Sequence, residues 1–274
     1  MKALVFIIIN IFIIIATELS GTLFFDRGII HIIALVFVIA AAVPLARNYY
    51  LADPIFKKFL TAGIFAFFLF SASHISEFIQ FRLSGGYNDH IFAITVNFYL
   101  TSILFMVLGS EIFLRASSGY HSSKAPILLT VFAIATLILF SFFFSIRPET
   151  ISLEPESMAP YFYGMAAIIS AFLFRKRILR LRKSLNPTFS GFFRFLNIMA
   201  VFVMVSIFFN IFYEFIEKAA KIPEYQIVYF SHFFFYGGLS IMFLAFEELL
   251  KLGGVLKDIR EWQKNHKNKI KLDR

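Results

Sequence analysis

Polar side chains recur at helical spacing within two strongly apolar stretches of this sequence. The first set is Ser71, His74 and Glu77, at i, i+3 and i+6. The second set recurs at i, i+3, i+4 and i+7 and consists of Asn210, Tyr213, Glu214 and Glu217. Each spacing predicts that its set shares one face of a helix. An imidazole beside a carboxylate can exchange protons, bind a polar ligand or hold a metal ion. These two sets are therefore the first candidates for a functional site.

Three interpretations of these residues stay open. In the first, the glutamates end their helices at the aqueous boundary and the Tyr and His side chains lie in the membrane interface, without forming a site. The second is a ligand or proton site. Its predicted contacts are His74, Glu77, Asn97, Tyr99, Asn210, Tyr213, Glu214, His232 and Tyr236. The third is a metal or haem site, with His31, His74, Glu77 and His232 as the predicted ligands. No residue is assigned a catalytic role.

The metal interpretation has a specific weakness. A di-metal helical bundle places a Glu and a His three residues apart on each of two helices. His74 lies three residues before Glu77, whereas the residue three positions before Glu214 is Ile211. Only one such Glu and His pair is therefore present. A haem with two axial histidines would have to take both from among His31, His74 and His232.

The elements that must position these groups are membrane helices. The chain has 274 residues, of which 59% are hydrophobic and 16% charged, and it contains no cysteine. Soluble domains are about 45–50% apolar and about 25% charged, so the composition predicts an all-α integral membrane protein. The absence of cysteine excludes disulfides, thiolate metal sites, iron–sulfur clusters and cysteine nucleophiles.

Eight apolar stretches are long enough to cross a bilayer, which requires about 20 residues in a helix. They run roughly over 3–19, 28–46, 56–80, 90–114, 125–146, 159–176, 192–215 and 226–250. The first stretch also has the features of a secretory signal peptide, whose removal would leave seven spans.

The basic residues set the orientation of these spans. If the spans alternate in direction, 21 of the 26 Lys and Arg fall on the side that holds both termini. The positive-inside rule then makes both termini cytoplasmic, in a cell (inner) membrane. The same asymmetry accounts for the net charge of +9 without a nucleic-acid partner. The densest basic run, within the predicted 175–194 connector, is interpreted as a topology anchor.

The sequence also predicts an internal duplication. The pattern [D/N]-P-x-F-x-x-F-[L/F] occurs at 53–60 and again at 186–193. Further matches at an offset of 137 include Glu77 with Glu214 and Glu111 with Glu248. Four spans per copy predict two tandem repeats of the same orientation, 1–120 and 121–251, related by an axis along the membrane normal. The duplication favours retention of the first span, because that span is needed to match the fifth.

Glu111 and Glu248 are interpreted as structural residues. Arg115 follows Glu111 at i+4, and Lys251 follows Glu247 at the same spacing. This spacing predicts an ion pair within each helix, reaching toward the headgroups.

The segment 252–274 is predicted to be a cytoplasmic tail. Its apolar residues and the only Trp recur at helical spacing between basic residues, which is typical of an amphipathic helix on the membrane surface. Any signal sent through this tail would need a separate cytoplasmic protein.

These features favour a non-enzymatic multi-pass membrane protein that acts in binding, in sensing or as a subunit of a membrane complex. The expected partners are the lipid bilayer and other membrane subunits. The alternative is a metal- or haem-dependent membrane enzyme that uses the same His and Glu residues. A transporter or proton-coupled carrier is the third possibility.

Overall fold

The computed structural model describes residues 28–52, 54–82, 89–118, 124–146, 159–184, 189–223, 226–227 and 230–251. The described chain is all helical, without strands. The helices are α1 Gly28–Leu51, α2 Pro54–Arg82, α3 Asp89–Ser118, α4 Ala125–Ile146, α5 Ala159–Ser184, α6 Ser190–Ile211, α7 Tyr213–Ala220 and α8 Phe230–Lys251. The predicted first span, 3–19, and the tail from residue 252 lie outside the described residues.

Four of these helices contain stretches long and apolar enough to cross a bilayer. They are Phe56–Ser76 in α2, Ile94–Ala116 in α3, Ser190–Ile211 in α6 and Phe230–Lys251 in α8. Helices satisfy their own backbone hydrogen bonds, so they meet the main requirement that a hydrocarbon environment imposes on a polypeptide. The coarse prediction of a helical protein with several apolar spans is therefore confirmed.

Most helices differ from the predicted stretches by a few residues, and the differences in α5 and α6 bear on the candidate sites. Helix α5 continues to Ser184, through the basic residues that were assigned to a connector. The reason is an apolar stripe, Phe174, Ile178 and Leu181, which is fully buried and extends the core beyond the apolar stretch. Helix α6 ends at Ile211, and after Phe212 the chain continues as α7.

Helix α3 lies at the centre of the described bundle and packs against α2, α4 and α5. At its crossing with α2, a Cβ on Gly109 would lie 2.7 Å from the Cβ of Ala62 and 3.3 Å from the carbonyl oxygen of Phe59. Only a glycine permits this approach, which is a common way to bring two membrane helices into close contact. Helix α4 is peripheral, since side chains such as Phe132 on its outer face are exposed.

One end of the bundle is filled by aromatic rings from α2, α3, α6 and α8. We call this group the phenylalanine cluster: Phe56, Phe59, Phe113, Phe189, Phe192, Phe193 and Phe246. The ring centroids of Phe56 and Phe113 are 5.1 Å apart, and those of Phe192 and Phe193 are 5.0 Å apart. Phe192 and Phe193 are completely buried, so this end of the bundle is tightly packed.

Candidate functional site

His74 is a buried imidazole on α2, with 5% of its surface exposed. Phe67, Phe70 and His74 recur at i, i+3 and i+7, so they share the face of α2 that meets the other helices. The imidazole packs edge-on against Phe70, with centroids 4.9 Å apart, and against Phe235 of α8, at 5.4 Å. Aromatic rings from two helices therefore fix its position.

Tyrosines and a second histidine extend this group. Tyr99 of α3 lies 5.4 Å from Phe70, and on α8 the ring of Tyr236 lies 5.5 Å from that of Phe235. His232 is 6.3 Å from Tyr236. We call the whole group the His74 cluster: Phe70, His74, Tyr99, His232, Phe235 and Tyr236. Of the nine predicted ligand contacts, the structure links His74 and Tyr99 through their shared contact with Phe70. On α8, Tyr236 contacts both Phe235 and His232.

The second polar set does not form a single buried face among its described side chains. Phe212 separates α6 from α7, and it falls between Asn210 and Tyr213. The side chains of Asn210 and Glu217 are exposed, and that of Tyr213 is partly buried. The side chains of His31, Glu77 and Glu214 lie outside the described part of the structure.

Asn97 is completely buried on α3. Neither atom of its side-chain amide has a hydrogen-bond partner in the described structure. Two residues along a helix correspond to a turn of about 200°, so Asn97 and Tyr99 face nearly opposite directions. Asn97 lies on the side of Leu100 and Leu104, which pack toward α4 and α5. No hydrogen bond joins its amide to the His74 cluster in the described structure. A buried amide without partners costs about 1–3 kcal/mol.

Several buried hydroxyls, by contrast, are satisfied within their own helix. Ser73 and Ser110, for example, each donate at 2.8 Å to a carbonyl in the preceding turn of their own helix. Between helices, the Ser231 hydroxyl of α8 donates to the Ser206 carbonyl of α6 at 3.0 Å. These hydroxyls stabilise the packing of the bundle. The His74 cluster is therefore the main group of predicted site residues.

The described side chains contain no group of three or more His, Asp or Glu positioned to hold a metal ion. Two of the four predicted ligands, His31 and Glu77, have side chains outside the described part. The metal and haem interpretation therefore stays a prediction.

An apolar cavity of about 80 Å³, partly open rather than enclosed, adjoins the His74 cluster. Side chains of α2, α3, α5, α6 and α8 line it, and Phe70, Tyr99 and Phe235 belong both to its wall and to the cluster. The only polar side chains in the wall are those of Tyr99 and Ser102, and the Ser102 hydroxyl donates to the Tyr99 carbonyl at 2.8 Å.

A buried ion-pair network connects α3 with α5. The Glu111 carboxylate accepts hydrogen bonds from Arg115 Nε at 3.1 Å and from Arg177 Nε at 2.5 Å. These side chains are only 7%, 14% and 13% exposed, respectively. The predicted pair of Glu111 with Arg115 is confirmed. Arg177 was missed, because the sequence does not show that α5 continues as a helix beside α3.

At the corresponding position on α8, Lys251 donates to Glu248 at 2.7 Å, an i, i+3 pair. The predicted partner was Glu247 at i+4, so this part of the prediction was wrong. The Glu248 side chain reaches the start of α6, where a Cβ on Gly191 would lie 3.4 Å from its Oε2. Unlike Glu111, Glu248 is substantially exposed.

The fold and the His74 cluster together define a helical protein with several apolar spans and a buried aromatic and imidazole group. No protein-family model, curated protein or solved structure matches this chain.

Proposed function

We propose that this chain is a non-enzymatic multi-pass membrane protein that binds a ligand at the His74 cluster. It would act as a sensor or as a subunit of a membrane complex. The observation that carries this proposal is the burial of His74 between Phe70 and Phe235, at the junction of α2, α3 and α8. Ionisable side chains inside a membrane protein are costly and usually belong to a functional site.

The proposal includes eight spans in two tandem repeats, with both termini on the cytoplasmic face of the cell membrane. Contacts in the phenylalanine cluster support the duplication. Phe56 lies 5.8 Å from Phe189, and Phe59 lies 6.2 Å from Phe192, and each pair occupies matching positions of the two motifs. Contacts between matching residues are expected beside a twofold axis.

The packing of α2 on α3 and of α6 on α8 gives further support. Gly109 approaches Phe59 in the first pair, and Phe246 packs on Phe192 in the second. Gly109 and Phe246 are related by the offset of 137. The same pair of positions is thus in contact in both proposed copies.

The test is identification of the bound molecule. The full chain is extracted from its membrane in mild detergent, and the small molecules that co-purify are identified by mass spectrometry. We expect one compound at about one per chain, and a loss of roughly tenfold in His74→Phe, since losing one hydrogen bond of about 1.4 kcal/mol corresponds to this factor. His121→Phe, which changes a histidine in a predicted connector, is the matched control.

Identical compounds in identical amounts from wild type, His74→Phe and His121→Phe would contradict the proposal. The absorption spectrum and metal content of the same preparations test the enzyme alternative. A Soret band or near-stoichiometric metal that is lost in His74→Ala would favour a metal- or haem-dependent enzyme.

A further inference from the structure

We infer that the cavity beside the His74 cluster binds one hydrocarbon chain of a membrane amphiphile, with the polar end of that molecule directed toward the cluster. This inference rests on the proposed function and specifies the chemistry of its ligand. The cavity contacts the cluster through Phe70, Tyr99 and Phe235, so a chain in the cavity would end one helical turn from His74.

The cavity exists because short side chains face one another from four helices. They are Ala66 of α2, Ala171 of α5, Ala200 of α6 and Gly238 of α8. The surrounding core is otherwise filled by Phe, Leu and Met side chains, with many residues fully buried. A void among such large side chains results from the coincidence of small residues at one level of the bundle. Interiors of proteins are normally filled, so this coincidence distinguishes the site from ordinary packing.

Water is a poor occupant for this cavity. A buried water needs two to four hydrogen-bond partners. The wall offers only the side chains of Tyr99 and Ser102, and the Ser102 hydroxyl already donates to a backbone carbonyl. A wall with so few hydrogen-bonding groups favours apolar molecules or groups over water.

The walls suit a flexible chain. Met106, Met199 and Met242 all contribute to them, which is three of the seven methionines in the protein. Methionine is unbranched and polarizable, so it adapts to the shape of an apolar ligand. Helices that line the cavity contain the apolar stretches suited to a bilayer. In that setting the most abundant apolar molecules are the chains of the surrounding amphiphiles.

The test is photo-crosslinking of the full chain reconstituted in phosphatidylcholine vesicles. In one arm, the phosphatidylcholine carries a diazirine at the middle of one acyl chain. In the other arm, a free fatty acid carries the same group, so that the two sources of the chain can be separated. We expect at least one arm to label peptides that contain Met106, Met199 or Met242.

The decisive variant is Ala200→Leu, which fills the cavity, and the matched control is Ala135→Leu, on the exposed face of α4. We expect labelling of the cavity peptides to fall about tenfold in Ala200→Leu, because the added carbons displace methylenes of the ligand. Labelling should be unchanged in Ala135→Leu. Ala171→Leu fills the cavity from α5 and replaces Ala200→Leu if that variant does not fold.

Equal labelling of the cavity peptides in wild type and both cavity-filling variants would overturn the inference, as would labelling confined to exposed faces such as that of α4. The His74→Phe variant separates this result from the proposed function. Cavity labelling that persists in His74→Phe supports the chain site, even if the loss of a co-purified compound at His74 is not observed.

Discussion

Disrupting the contact between Glu111 and Arg177 should destabilise the protein more than any single change at an exposed ion pair. The Glu111 side chain is buried and that of Arg177 is 13% exposed, and the Glu111 carboxylate has two guanidinium partners. In Arg177→Met the carboxylate keeps only Arg115. Breaking a buried ion pair costs about 3–5 kcal/mol when one charge is left without any partner. Because Arg115 remains, we expect the lower end of this range, about 3 kcal/mol of unfolding free energy.

The measurement is a double-mutant cycle of Glu111→Gln and Arg177→Met, with unfolding of the purified protein followed in detergent. We expect a coupling free energy of about 2 kcal/mol, since close and desolvated charge pairs give about 1.5 kcal/mol or more in such cycles. Glu248→Gln with Lys251→Met is the control cycle. Those side chains are 37% and 62% exposed, so their coupling should be below about 1 kcal/mol. Equal coupling in the two cycles would refute this account of the network.

Four further predictions concern packing and topology. Gly109→Ala should lower the unfolding free energy by about 1–3 kcal/mol, because its Cβ would meet the neighbouring helix. Gly63→Ala should be neutral or stabilising by up to about 1 kcal/mol in the same unfolding assay, since its Cβ would lie 3.4 Å from the Leu45 side chain, which is ordinary van der Waals contact. Phe192→Ala should cost about 3–5 kcal/mol by opening a cavity in a fully buried core, measured by the same method. Reporter fusions after Gly86 and after Glu154 should both report the outer side, and a cytoplasmic signal from either would contradict the proposed topology.

Much of the helical arrangement could be predicted from sequence because its causes are local. Apolar runs set the position of each helix, and proline and glycine mark the breaks, as at Pro54, where α2 begins. The predicted stretch 125–146 coincides with α4, and α3 extends the predicted stretch 90–114 by a few residues. In the candidate site, the predicted shared face of Ser71, His74 and Glu77 stays a prediction: His74 is buried and Ser71 partly buried, and the Glu77 side chain lies outside the described part.

The remaining features depend on contacts between residues far apart in the chain. Arg177 lies 66 positions from Glu111, and their contact requires that α5 pack against α3. Nothing local distinguishes Arg177 from the other basic residues of its run. The end of α6 at Ile211 could not be predicted from local sequence either. Apart from Asn210 the stretch remains apolar through Phe212, and it contains no proline or glycine at the break.

The two ends of the bundle differ in packing, and this difference bears on the proposed function. The phenylalanine cluster and the Glu111 network lie where α2, α3, α5 and α6 are most completely buried. The His74 cluster lies toward the opposite ends of α2 and α3, beside a cavity. Two of its members, Tyr99 and His232, are only partly buried. Regions that must admit a ligand are generally drawn from the less stable part of a fold. A firmly packed end can hold the helices in register while the cavity end adjusts around a bound chain, and ligand binding would then stabilise mainly the cavity end.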